Sequence, residues 1–140
     1  MISRGMFLAF DYGTRRIGVA SGNAITGTAT PLDTIDARRV DDSFAAIGRL
    51  IDAWKPEALV VGIPRHPDGQ PHDMTQRAER FARRLEGRFG WPVRRVDERW
   101  TTVEAQARGT SHDLDAGSAA VILEQFLFEH ARAQAAEVQP

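Results

Sequence analysis

Short apolar runs bounded by turn residues, followed by longer stretches with apolar positions three and four apart, divide this chain into strands and helices. Met6-Phe7-Leu8-Ala9-Phe10 reads as a buried strand, and Tyr12-Gly13-Thr14-Arg15 as a tight turn into a second strand, Ile17-Gly18-Val19-Ala20. A weaker extended segment follows at about Gly27 to Leu32, interrupted by Pro31. Asp41 and Asp42 precede a helix whose Phe44, Ile47, Leu50, Ile51 and Trp54 share one face, and Pro56 ends it. Ala58-Leu59-Val60-Val61-Gly62-Ile63 is an unbroken apolar run, as expected of a central strand covered on both faces. After a loop from Arg65 to Pro71, a helix is expected from about Asp73 to Phe89, with Ala78, Phe81, Ala82, Leu85 and Phe89 inward and Arg77, Arg80, Arg84 and Arg88 along a flank. Gly90 stops it. Trp91 to Val96 reads as another strand, and Thr101-Thr102-Val103-Glu104 as a capping box opening a short helix. Residues Gly109 to Asp113 break that helix, a last helix runs from Asp115 to about Ala131, and the tail beyond it is expected to fray.

Three strands, then helices alternating with strands, predict an α/β fold: a mixed five-stranded sheet with helices on both faces. This order matches the ribonuclease H-like fold. At 140 residues the chain suits one domain, spanning residues 1–140 with about 132–140 as the frayed tail. Having no cysteine, it excludes disulfides, thiolate metal sites and cysteine nucleophiles. No stretch approaches the roughly 20 apolar residues of a membrane helix, and a soluble cytoplasmic protein is expected.

A formal net charge of −1 argues against a protein that coats nucleic acid by bulk electrostatics. Its distribution is more informative. Lys55 is the sole lysine, and arginines crowd residues 65–99, where Arg65, Arg77, Arg80, Arg83, Arg84, Arg88, Arg94, Arg95 and Arg99 outnumber the acids. The arginine fork suits phosphate, although a GC-rich genome gives the same bias.

The candidate chemistry lies in acids at strand ends and a helix start. Asp11 closes the first strand, where an aspartate two residues before a glycine is also an ordinary turn residue. Asp97 and Glu98 close the Trp91–Val96 strand; as neighbours they face opposite ways, so at most one joins Asp11 readily, and parity alone does not choose between them. Asp115 suits an N-cap, yet it shares a helical face with Ala119, Ile122 and Phe126 that should turn it toward the sheet. The four histidines have no metal-site spacing.

Four ordered segments then coincide with a known family. They are Phe10-Asp11-Tyr12-Gly13-Thr14-Arg15-Arg16-Ile17-Gly18-Val19-Ala20; Val60-Val61-Gly62-Ile63-Pro64 with Asp68-Gly69; Asp97-Glu98-Arg99-Trp100-Thr101-Thr102-Val103-Glu104-Ala105; and Asp115 ahead of Ser118-Ala119-Ala120-Val121-Ile122-Leu123. Together they resemble the YqgF/RuvX family of small ribonuclease H-like nucleases, described as Holliday junction resolvases and linked to maturation of the 5′ end of 16S ribosomal RNA. The resemblance implies that Asp11, Glu98 and Asp115 are catalytic and form a metal-binding cluster for Mg2+ or Mn2+, two ions in all. It chooses Glu98 over Asp97. It also implies Arg99 near the scissile phosphate and Thr14 and Arg15 beside the metals, while Arg77, Arg80 and Arg84 are expected to neutralise substrate phosphates. Two departures stand out: residues 106–114 are short with Arg108 as their one cation, and Gly62-Ile63-Pro64 stands where RuvC-type resolvases carry a further acid, leaving three ligands.

The expected activity is metal-dependent hydrolysis of phosphodiester bonds, with precursor ribosomal RNA as the favoured partner and branched DNA as the alternative, in a monomer or homodimer. A non-catalytic RNA-binding assembly factor is the competing reading. Asp11-Tyr12-Gly13-Thr14 also resembles the first phosphate loop of actin-like ATPases, but this chain is too short to supply both halves of their cleft.

Overall fold

The computed structural model describes residues 2–71, 73–99 and 112–138, with side chains except at 99, 112–115 and 136–138. Strands β1 (Ser3–Tyr12), β2 (Arg16–Asn23) and β3 (Thr28–Asp36) form an antiparallel meander. Helix α1 (Val40–Trp54) crosses to β4 (Pro56–Arg65), and α2 (Thr75–Phe89) crosses to β5 (Val93–Arg99). β4 pairs parallel to both β1 and β5, giving the order β3-β2-β1-β4-β5, and α3 (His112–Val138) follows. The expected mixed five-stranded sheet is present, and β4 is buried along nearly its whole length, as its unbroken apolar run requires.

Local chemistry sets the boundaries. Asp41 and Asp42 complement the N-terminal dipole of α1, and Lys55 ends it in the left-handed region, its N–H donating to the Ile51 carbonyl at 2.7 Å before Pro56 begins β4. Gly90 ends α2 the same way. The Thr75 hydroxyl donates to the Pro64 carbonyl, tying the start of α2 to the end of β4, and the Trp91 indole N–H donates to the Pro56 carbonyl at 2.8 Å.

The two faces of the sheet differ in residue size. One carries Leu8, Phe10, Ile17, Val19, Leu59, Val61 and Ile63 and packs on Phe44, Ile47 and Ile51 of α1 and Phe81 and Leu85 of α2. The other carries Phe7, Ala9, Ala20, Ala58, Val60 and Val96 beneath Ala119, Ile122, Leu123 and Leu127 of α3. On this second face a Cβ at Gly22 would lie 2.7 Å from Leu123 Cδ2 and 2.9 Å from the Thr28 carbonyl oxygen. Small residues therefore let α3 settle close to the sheet, and each large side chain it buries there contributes about 1.5–3 kcal/mol.

Several expected boundaries shift. β1 continues through Asp11 to Tyr12, and β5 through Asp97 and Glu98 to Arg99, because ladder pairing carries both strands past their apolar runs. Arg65, expected in a loop, ends β4, and α2 starts at Thr75 rather than Asp73. α3 begins at His112, so Asp115 lies inside the helix instead of capping it, and helix persists to Val138 where fraying was expected. The capping box at Thr101–Glu104 and the break at 109–111 lie outside the described residues.

Gly22→Ala is expected to cost about 1–3 kcal/mol through crowding against Leu123 and the β3 backbone, lowering Tm by roughly 5–10 °C. An unchanged thermal melt would mean that α3 does not depend on this close approach.

Candidate active site

Strand alternation places the acids. Phe7 and Ala9 point to α3 and Phe10 to the α1/α2 side, so Asp11 follows Ala9 to the α3 face. Tyr12 turns the other way and stacks on Phe81 at 4.8 Å between ring centroids. On β5, Val96 faces α3, hence Glu98 does also, while Asp97 faces away and accepts from Arg65 Nε at 2.9 Å. Parity, open on the sequence, follows from Val96: Glu98, which the resemblance selects, shares a face with Asp11, and Asp97 does not. Both carboxylates are nearly enclosed, Asp11 being 7% and Glu98 8% exposed.

Gly62 accounts for how they approach. Paired with Val96, it lies on β4 between the acid-bearing strands, one residue past Val61, which pairs with Phe10 just before Asp11. A Cβ built on Gly62 would sit 2.6 Å from Glu98 Oε2 and 2.6 Å from Ile122 Cδ1. The Glu98 side chain therefore reaches back over bare backbone toward β1, with Ile122 of α3 filling the rest of that space. Gln125 Nε2 donates to the Asp97 carbonyl oxygen at 3.3 Å, joining α3 to the acid-bearing end of β5. A lone glycine inside an apolar strand was the sequence signal for this close approach.

The other expected residues separate into groups. Asp115 lies in the first turns of α3, one turn before the buried Ala119; its side chain is outside the described residues. Thr14 and Arg15 are exposed in the β1–β2 turn at the same sheet edge as Asp11, and the Arg15 carbonyl accepts the Ala37 N–H at 2.8 Å. Arg99 ends β5 beside Arg65, its side chain also outside the described residues. Arg77, Arg80 and Arg84 are not on the acidic face: they line a cleft between α2 and α1, across the sheet.

The expected basic surface over 65–99 is partly neutralised. Arg65 pairs with Asp97, Arg88 with Asp41, and Arg95 with both Glu79 and Glu86. The hydrogen bond from Arg95 holds the Glu86 carboxyl below its ordinary range.

Among the described residues no group of three His, Cys, Asp or Glu side chains is close enough to hold a metal. The Asp11–Glu98 pair nonetheless fits part of such a site. Hard oxygen donors enclosed on one face suit a divalent cation, whose charge offsets the cost of burying two ionised carboxylates.

The sheet order, with two helices on one face and one on the other among the described residues, defines a ribonuclease H-like domain. It aligns with Thermus thermophilus RuvC in complex with a Holliday junction substrate at a TM-score of 0.50 and 12% identity, covering 90% of this chain and 95% of that one. The family model described as RuvX, Holliday junction resolvase, matches residues 5–129, and the chain belongs to this family. A relative from Paraburkholderia xenovorans is 53% identical over 125 residues, 86% of each chain. One from Burkholderia vietnamiensis is 52% identical over 132 residues, 88% of this chain and 89% of its own. Both carry the name "Putative pre-16S rRNA nuclease".

Gly62→Ala is expected to displace the Glu98 carboxylate and to cost about 1–3 kcal/mol in urea unfolding. Adding Ile122→Val, which removes the crowding Cδ1, should restore part of that loss, a coupling of about 0.5–3 kcal/mol. Additive effects of the two substitutions would refute shared crowding over Gly62.

Proposed function

We propose that this protein is a divalent-metal-dependent nuclease that hydrolyses phosphodiester bonds in precursor 16S ribosomal RNA, in maturation of its 5′ end, with Asp11, Glu98 and Asp115 as the catalytic acids. The observation that carries this reading is the enclosure of Asp11 and Glu98 on one face, at the carboxyl edge of parallel strands β1, β4 and β5. Ligands of open α/β sheets bind outside that edge. The names of relatives more than half identical in sequence supply the substrate.

Asp11, on the central strand, Glu98 and Asp115 would hold the divalent ions, Mg2+ or Mn2+. Two such ions supply an activated water and offset the charge developing on the attacked and departing oxygens. The protein's part is positional. Pairing with Gly18 of β2 holds Asp11, bare Gly62 admits Glu98, and Asp115 comes from the opening turns of α3. Thr14 and Arg15 orient the phosphate from the neighbouring turn, and Arg99 does so from the end of β5. Ile122 and the small-residue face keep bulk water from the inner side of the acids.

The matching family description names a Holliday junction resolvase, so a junction is the second substrate to test. Labelled precursor 16S RNA and a four-way DNA junction would be incubated with native protein in Mg2+, Mn2+ or EDTA. RNA cleavage that stops in EDTA is expected, as is a loss of at least about a hundredfold in Asp11→Asn and Glu98→Gln. Asp97→Asn should cut at nearly the native rate, its carboxylate facing Arg65. Undiminished cleavage by Asp11→Asn would sink the assignment, and cleavage of the junction alone would make the protein a resolvase.

A further inference from the structure

The cleft on the far side of the sheet from the acids has the chemistry of a second site. It encloses about 480 Å3 between α1 and α2 and opens beside the carboxyl end of β1, with Tyr12 and Ile17 among its lining residues. That size is in the range of ligand pockets. Arg77, Arg80 and Arg84 stand three and four residues apart along one face of α2, spread over about 10 Å of helix. Among the described residues Asp73 is the one carboxylate lining the cleft, against three arginines. Whereas Arg65, Arg88 and Arg95 are held in ion pairs, none of these three forms one among the described residues. All three are exposed and carry like charge along one helix face, so an anion arriving from outside meets several donors at once.

Two further observations indicate what the anion is. The start of α2 borders the cleft at Gln76, and that helix has neither a side-chain cap bond nor an acid in its first turn, so its dipole favours negative charge there. The wall between α1 and α2 is aromatic. Phe44 and Phe81 are only 4% and 3% exposed, so half-buried Tyr12 offers the accessible ring, its orientation fixed by stacking on Phe81. Guanidinium forks beside a ring edge suit phosphates attached to a flat base.

We propose that this cleft binds single-stranded RNA, holding phosphates of the strand that flanks the cut on Arg77, Arg80 and Arg84 and a base against Tyr12. The proposal rests on the nuclease reading above for its choice of RNA. Tyr12 follows Asp11 directly on β1, and the two side chains leave the strand on opposite faces at the same edge. A strand passing over that edge reaches both, gripped on one side of the sheet and cut on the other. The arginines thus act on substrate at a distance from the scissile phosphate, so their loss weakens binding without altering the acidic site.

The test is binding of a fluorescent oligouridylate to the full chain in EDTA, where no cleavage occurs, read by anisotropy across a salt series. The triple variant Arg77→Gln/Arg80→Gln/Arg84→Gln should bind at least tenfold more weakly, and its log–log salt slope should be shallower by about 2, as loss of three phosphate contacts to a single strand predicts. Arg83→Gln, on the same helix but outside the cleft, should bind like the native protein. Crosslinking of 4-thiouridine RNA to the native protein should mark Tyr12 or the segment 76–84, a readout that does not depend on variants folding. Native-like binding by the triple variant, crosslinks confined to the α3 side, or displacement of the RNA by uridine monophosphate at equal concentration would each overturn the proposal. Because binding is read in EDTA, weakened binding in the triple variant beside an absence of any cleavage would leave the cleft standing and remove the nuclease reading.

Discussion

Close approach of α3 to the sheet is the constraint on which the acidic site depends. Sheet and helix can draw together because the face between them carries small residues at Ala9, Ala20, Gly22, Ala58 and Gly62 beside Phe7, Val60 and Val96. The opposite face is made of leucine, isoleucine, valine and phenylalanine, and a cleft lies between the helices that pack on it. The two sides of the sheet thus differ in both side-chain volume and surface. The acids are a product of packing: Glu98 lies where it does because β4 offers backbone instead of a side chain beneath it, and Ile122 closes what remains.

Most of the architecture was legible because its signals are local. The unbroken apolar run of β4, the apolar spacing of α1 and α2 and the stop at Gly90 needed no tertiary information, and they appear where expected to within a few residues. Strand ends were less legible, since ladder pairing with a neighbour extends β1 over Asp11 and β5 over Glu98, and composition does not reveal pairing. The opening of α3 at His112 was hidden for a similar reason: Asp115 looks like a cap in sequence, whereas three residues before it are already helical.

The face of each acid was legible in part. Asp11 could be assigned to a face from alternation, whereas Glu98 was chosen over Asp97 by the family resemblance, and strand parity agrees once the direction of Val96 is known. The arginines of α2 were visible as a flank, yet nothing in helical spacing says on which side of a sheet a helix will lie. Their separation from the acids is a topological fact: α1 and α2 both belong to crossovers on one face, and α3 belongs to the other. The ion pairs of Arg65, Arg88 and Arg95 were equally hidden, joining residues distant in sequence.

Asp11 and Glu98 also differ in the security of their supports. Asp11 stands on β1, hydrogen-bonded to strands on both sides at the middle of the sheet, whereas Glu98 stands on β5, whose described pairing is to β4 alone. Local opening takes less free energy at a sheet margin than at its centre. The two carboxylates therefore belong to regions of different local stability, and opening of β5 would take Glu98 away from Asp11 while the core stays folded. Assembly of the acidic pair is in this sense an equilibrium of its own, nested within the folding equilibrium of the domain.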